Sequence, residues 1–311
     1  MISAVVPVFN EEESLPHFFK ELLKYLPRLD KDYEIVFIDD GSTDSSLEIL
    51  KDFEKRNKNV KVFGFRRNQG KAEALTLGFE KAKGDYIVTL DADLQDKPEE
   101  ISKLFNKVKE GEFDVVSAWR KDRQDSFLRT FPSRVFNLLV IFFNGLKLHD
   151  YNSGLKVYTK EAAKSLHLYG GMHRFIPILA DMNGFKVGEA PVKHSPRMYG
   201  KAKYGLSRLW KDLPDMFTML FLSRYSKRPM HFFGPLGGLV FLIGLVVVIY
   251  FIVLHFQGVV ISRRPLYIFG LIAVIAGLQI LFTGFLADLI IHLSRKELNG
   301  GTEGFLKYKS D

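Results

Sequence analysis

Along the first 118 residues, short apolar runs alternate with stretches whose apolar side chains recur at helical spacing. The alternation predicts strands over 2–8, 34–38, 60–65, 86–90 and 115–118. Between them it predicts helices over 14–25, 45–57, 71–81 and 98–109. Ser45 and Glu48 have capping-box spacing, and Pro98 stands near a helix start, where proline is tolerated. Such a βαβ series implies an α/β fold, a parallel sheet with helices on both faces. Its ligands bind outside the carboxyl ends of the strands. Past residue 228 the pattern changes. No charged residue occurs from Pro229 to Ser262, and a second uncharged run extends from Pro265 to Ala287. Each is apolar all round and longer than the roughly 20 residues that cross a bilayer, so spans are expected over 232–256 and 266–291.

Charge sharpens this division. Residues 1–118 carry a net −6, residues 119–228 a net +12 and residues 229–311 a net +2, which together make the +8 of the chain. The basic middle could meet nucleic acid, an anionic bilayer or a phosphorylated substrate; the apolar tail favours the last two, and no nucleic-acid partner is expected. Lys211, Arg224, Lys227 and Arg228 precede the first span and Arg295, Lys296, Lys307 and Lys309 follow the second, against Arg263 and Arg264 between them. That bias places the large N-terminal domain and both chain ends in the cytoplasm, at the cell (inner) membrane. Met1–Val8 runs directly into Glu11–Glu13 without a cleavage pattern, so no signal peptide is expected. The chain has no cysteine, which excludes a thiol nucleophile and Cys-ligated metal. The histidines, His149 and His173 among them, lack the spacing of a zinc site.

The strand ends carry carboxylates. No G-x-G-x-x-G follows the first strand, and Gly70-Lys71 lacks the upstream glycine of a P-loop. Asp91 and Asp93 flank Ala92 at the end of the fourth strand, where side chains two apart point the same way. Two converging carboxylates are costly unless a cation sits between them, and hard oxygen ligands suit Mg²⁺ or Mn²⁺ holding a diphosphate, with Gln95 as a third oxygen. Asp39 ends the second strand and could accept the ring N–H of a nucleobase. Asp44 is read as a cap of the following helix.

Taken together, VVPVFNEEESL (5–15), IDDGSTDSS (38–46), RNQGKAEAL (67–75), DADLQDKPEEI (91–101), NSGLKVY (152–158) and HSPRMYGKAKY (194–204) resemble family 2 glycosyltransferases. The resemblance is nearer to the membrane-anchored branch that moves a sugar onto a polyprenyl phosphate, the dolichol-phosphate mannose synthase and bactoprenol glucosyltransferase group. It covers essentially the whole chain and implies a GT-A-type domain. By that resemblance Pro7, Phe9, Glu11, Asp39, Lys71 and Asp91 line the donor nucleotide, and Asp91, Asp93 and Gln95 hold the metal. Arg120, Arg134 and Ser153 meet the acceptor phosphate, and Arg197 and Lys203 close a basic loop over the diphosphate. Ala202 stands where the family often has serine, which removes one hydroxyl contact. The expected catalytic set is Asp91, Asp93, Arg120 and Arg134. The expected partners are a nucleotide-sugar donor, UDP-glucose before GDP-mannose, a polyprenyl phosphate acceptor and the bilayer.

The expected organisation is a catalytic domain over 1–204, including an acceptor-side apolar helix at 133–148. Interfacial helices over 205–230, the two spans within 231–294 and a tail over 295–311 follow. Gly234-x-x-x-Gly238 has a helix-packing spacing compatible with a homo-oligomer. Two other functions compete. A processive polysaccharide synthase shares the front half but carries Q-x-x-R-W, and Gln124 here is followed at that spacing by Phe127. A non-catalytic nucleotide-binding membrane protein would need no acceptor clamp.

Overall fold

The computed structural model describes residues 1–121, 146–193, 228–258 and 264–300, with isolated positions at 218, 221, 224, 225 and 260. Arg134, Arg197, Lys203, most of the expected 133–148 helix and most of the expected interfacial helices lie outside the described residues. The chain forms two compact units, Met1–Ser223 and Arg224–Asp311.

The first unit opens with β1 (Ile2–Val8), α1 (Leu15–Leu29), β2 (Tyr33–Asp39), α2 (Ser46–Arg56), β3 (Val60–Gly64), α3 (Lys71–Lys81) and β4 (Tyr86–Thr89). A 3₁₀ turn at Pro98–Glu100 leads into α4 (Ile101–Lys109), and β5 (Val115–Arg120) follows. Beyond the 146–155 loop come β6 (Lys156–Thr159), α5 (Lys160–Lys164), a 3₁₀ turn at Met172–Arg174, α6 (Ile176–Met182) and β7 (Val187–Val192). The sheet order is β3-β2-β1-β4-β6-β5-β7. One strand departs from the expected parallel sheet: β6 runs antiparallel to both β4 and β5, with Lys156 in register with Thr89 on one side and Ser117 on the other. The α/β assignment stands, and the sheet is mixed.

Two apolar layers hold the sheet. On one face α1 buries Leu15, Phe18, Phe19, Leu22 and Leu26, an apolar stripe one helix face wide, and Phe19 stacks on Phe53 of α2 at 4.0 Å between ring centroids. On the other, α3 lays Ala72, Leu75 and Phe79 over the sheet, with Phe79 edge-on to Tyr158. Each fully buried Leu, Ile or Phe contributes on the order of 1.5–3 kcal/mol. The expected capping box at Ser45 is not made. Ser45 makes no side-chain cap; Asp44 Oδ1 instead accepts from Ser46 N at 3.0 Å, so the aspartate caps α2.

The second unit contains α7 (Met230–Phe256) and α8 (Pro265–Gly300), both long and apolar enough over at least 27 residues to cross a membrane. Their outward side chains, including Leu239, Val246, Ile275 and Phe282, are exposed. Helix α8 continues through residues 295–300, which were expected to lie in a tail. The two helices pack antiparallel through glycine. A Cβ on Gly237 would sit 2.9 Å from Gly277 O, one on Gly244 2.6 Å from Val274 N, and one on Gly277 2.4 Å from Phe241 N. The Gly234/Gly238 pair lies off this seam: a Cβ on Gly238 would meet nothing within 4 Å. Asp288 Oδ1 accepts from Met230 N at 3.4 Å, placing a carboxylate at the positive end of the α7 dipole.

Candidate active site

The loops after β1 and β2 clasp each other. Asn10 has a left-handed backbone, φ 51°, which asparagine tolerates, and its N–H donates to Ser42 Oγ while its Oδ1 accepts from Thr43 N. Glu11 N donates to Ser46 Oγ, and the Glu11 carboxylate accepts from Ser14 Oγ. Pro7, Phe9 and Glu11 are thereby held half-buried beside the end of β2. There Asp39 is 2% exposed; its Oδ2 accepts from Ser42 N at 3.2 Å, and its Oδ1 is buried with no hydrogen-bond partner among the described residues. A buried acceptor without a donor is costly, and a ligand N–H would satisfy it.

Asp40, not singled out by the sequence, fixes the next loop. Its carboxylate accepts from Gln69 N at 2.7 Å, Gly70 N at 3.0 Å and Asn68 Nδ2 at 3.0 Å. Burial pushes its pKa up more than these bonds pull it down. Gly41, at φ 69°, lets the Arg67 and Asn68 backbone approach: a Cβ there would sit 2.5 Å from Arg67 C. This places Lys71 at the start of α3, where its Nζ meets Asp91 Oδ1 at 2.5 Å. Burial raises the Asp91 pKa, but the neighbouring Lys71, with Lys156 behind it, holds the carboxyl below its usual range. Asp93 is buried, and its Oδ1 accepts from Gln95 N at 3.2 Å across a turn that Leu94 makes at φ 60°.

Asp91, Asp93 and the Gln95 amide thus stand on one short segment, and an ammonium already sits on Asp91. These hard oxygen donors fit Mg²⁺ or Mn²⁺. Among the described residues no three His, Asp or Glu side chains gather as a complete metal cage. His149 stacks on Trp119 at 4.1 Å and bonds through its backbone N–H and Nδ1 to Glu189, a packing role.

The loop into β6 reaches the same place. Thr89 Oγ1 donates to Gly154 O at 3.0 Å, Leu155 N donates to Asp96 Oδ2 at 3.0 Å, and Lys156 Nζ donates to Ser153 O. Gly154 touches the Asp91–Asp96 segment, since a Cβ on it would lie 2.6 Å from Asp91 Oδ2 and 3.0 Å from Asp96 Oδ2. Ser153 is buried, and its Oγ has no partner among the described residues. Arg120, at the end of β5, forks onto Asp150, with Nε to Oδ2 at 2.6 Å and Nη2 to Oδ1 at 3.0 Å. Lys156, also missed, is 2% exposed, and burial pushes its pKa down to about 8. The run NSGLKVY contains the lysine, but only the reversed strand reveals that it points into the interior. Gly154→Ala is expected to lower any turnover at Asp91 at least about 10-fold while the circular dichroism spectrum stays unchanged, because the added methyl must displace a carboxylate.

His173 sits in the 3₁₀ turn that packs on α3, held there by Leu168 N to Thr76 Oγ1 and Gly170 N to Glu73 Oε1. Burial, then the nearby Lys71 and Arg174, push its pKa down to about 3. The folded protein therefore resists a proton that the unfolded chain binds near pH 6.5. The His173 contribution is fully present above that pH and is lost as pH falls towards 3, by at most about 1.4 kcal/mol per pH unit. Thermal melts of His173→Gln should accordingly fall less steeply between pH 6.5 and 4 than those of the wild type; parallel curves would remove His173 from the acid response.

The model of glycosyl transferase family 2 matches residues 3–166, more than half of the chain. The chain belongs to glycosyl transferase family 2. It is 34% identical over 297 residues to dodecaprenyl-phosphate galacturonate synthase of Rhizobium johnstonii, covering 93% of this chain and 87% of that one. It is 38% identical over 244 residues to undecaprenyl-phosphate 4-deoxy-4-formamido-L-arabinose transferase of Edwardsiella ictaluri, covering 78% of this chain and 73% of that one. The fold is similar to that of glucosyl-3-phosphoglycerate synthase from Mycobacterium tuberculosis, solved with Mn²⁺ and UDP-glucose, at TM-score 0.54 and 19% identity over 72% of this chain and 79% of that chain. A mannosyltransferase from Pyrobaculum calidifontis, solved with GDP-mannose and Mn²⁺, aligns at TM-score 0.52 and 19% identity over 71% of this chain and 62% of that chain.

Proposed function

We propose that this family 2 transferase moves a sugar from a nucleoside diphosphate to a polyprenyl phosphate, with a divalent cation and with inversion at the anomeric carbon. The observation that carries the reading is the meeting, at the carboxyl edge of β4 and β5, of the Asp91–Asp93 segment with the Ser153–Gly154 loop and Arg120. A donor diphosphate and an acceptor phosphate would be brought together at that edge. Asp39 would take the base N–H, and Pro7, Phe9 and Glu11 would flank the nucleoside. Asp91, Asp93 and Gln95 would hold Mg²⁺ or Mn²⁺, which supplies charge neutralisation of the leaving diphosphate. Arg120, with its fork set by Asp150, and the Ser153 hydroxyl would receive the acceptor phosphate. The same reading gives Arg134 to the acceptor and Arg197 and Lys203 to the donor.

No general base is required. A lipid monophosphate has a second pKa of about 6, so its oxygen is already anionic near pH 7. The task of the protein is to bring like charges together, which cations do. The relatives are named for dodecaprenyl and undecaprenyl phosphate, which supports the acceptor class. Helices α7 and α8 would anchor the chain in the bilayer that holds such a lipid, with the first unit on the cytoplasmic side. For the donor, UDP-glucose and GDP-mannose are joined by nucleotide-linked galacturonate and 4-deoxy-4-formamido-L-arabinose, the sugars in the relatives' names. Purified full-length protein, a panel of these donors, undecaprenyl phosphate and Mg²⁺ or Mn²⁺ should yield one lipid-linked monophosphate sugar by mass spectrometry, with the anomeric configuration opposite to the donor. No lipid product from any donor would defeat the activity; retention would defeat the inversion.

A further inference from the structure

Two ammonium groups bear on the Asp91 carboxylate, Lys71 in contact with it and Lys156 through space, and they differ in freedom. Lys156 lies on β6 with 2% exposure and donates to Ser153 O, inside the sheet edge. Lys71 opens α3, and both it and Asp91 keep about a third of their side-chain surface in solvent, 33% and 34%. Asp91 itself has little room to turn away. Its Oδ2 side is packed against Gly154, where not even a methyl fits, and its Oδ1 faces the Lys71 ammonium. The Lys71 stem is a flexible four-carbon chain rooted beside the loop that Asp40 fixes, so the head group can swing while its root stays in place.

We propose that Lys71 is a built-in competitor for the divalent cation at Asp91, so that metal binding and donor binding are coupled through the movement of one ammonium group. The inference rests on the proposed metal role of Asp91 and Asp93. A divalent ion entering beside Lys71 and the buried Lys156 would face two positive groups, and Asp91 Oδ1 cannot serve both cations at full strength. Lys71 therefore weakens the affinity for metal alone. A nucleoside diphosphate brings the negative charge that draws Lys71 from Asp91, and the metal then binds with the competitor removed. By linkage, the metal must raise the affinity for the diphosphate by the same factor.

The test uses the full-length protein in detergent micelles, with Mn²⁺ binding followed by electron paramagnetic resonance and calorimetry, without sugar or lipid. Lys71→Met is expected to tighten Mn²⁺ binding in the absence of nucleotide by about five-fold or more, the lower end of typical site coupling. It should also weaken UDP or GDP binding and shrink the mutual enhancement of metal and nucleotide. Lys71→Arg, which keeps the charge, should stay near wild type for Mn²⁺ alone. Asp91→Asn should abolish Mn²⁺ binding in every background, and melting temperatures establish that each variant is folded. Unchanged or weaker Mn²⁺ binding by folded Lys71→Met, with Asp91→Asn still abolishing it, would overturn the competition while leaving the metal site intact. Mn²⁺ binding that survives Asp91→Asn and Asp93→Asn would overturn the metal reading and the competition with it.

Discussion

Asp93→Ala is expected to reduce sugar transfer by on the order of 10²–10³-fold, the scale seen when one preorganised electrostatic group is removed from a site of developing charge. Asp93 is 6% exposed and held by the turn at Leu94, so its carboxylate is aimed before any substrate arrives. In the proposed site its removal would leave Asp91 and Gln95 to carry the cation, with Lys71 already on one Asp91 oxygen. Asp93→Asn keeps the shape and one oxygen, and should lose nearly as much, because the missing element is charge. Initial rates of lipid-linked sugar formation across a Mn²⁺ titration decide the matter. A variant with wild-type rate and wild-type metal dependence would take Asp93 out of the mechanism.

The second large effect belongs to Arg120, and it falls on stability as well as activity. Its guanidinium and the Asp150 carboxylate are 10% and 8% exposed and joined by two hydrogen bonds. Arg120→Ala takes the forked partner away from a buried carboxylate, a loss of up to about 3–5 kcal/mol. The double variant Arg120→Met, Asp150→Leu removes both charges and should recover most of the melting temperature while remaining inactive with polyprenyl phosphate. Arg120→Lys is no conservative replacement, since one ammonium cannot reproduce the fork. If the double variant melts as low as Arg120→Ala, the pair is not what holds this corner; if it keeps full activity, Arg120 does not meet the acceptor.

Much of the first half was legible because it is regular. The five strands and four helices up to residue 120 recur close to their expected bounds, since each strand is an apolar run and each helix has an apolar stripe. The carboxylates at strand ends were legible for the same reason, strand ends in such a sheet being where ligands bind. What escaped is short or depends on contacts distant in sequence. Strand β6 has four residues, and nothing in KVYT reveals that it runs backwards. Lys156 reads as a surface lysine until the strands on both sides of it are known. Asp40 reads as a turn residue, yet it organises the loop that carries Lys71. Arg120 was legible as a cation at a strand end, but its tie to Asp150 spans thirty residues. In α7 and α8 length and composition were plain. The seam was not, because Gly234 and Gly238 fit a familiar spacing while the close packing uses Gly237, Gly244 and Gly277.

The reversed strand has an evolutionary corollary. Because β6 runs against its neighbours, the segment feeding it enters the sheet where β4 and β5 leave it, and Gly154 lies directly against Asp91. In the proposed site, a change in that segment that suits a new lipid would press directly on Asp91, the group assigned to the sugar nucleotide. On that reading the two substrate preferences would be linked, and relatives that differ in acceptor should also differ around Asp91.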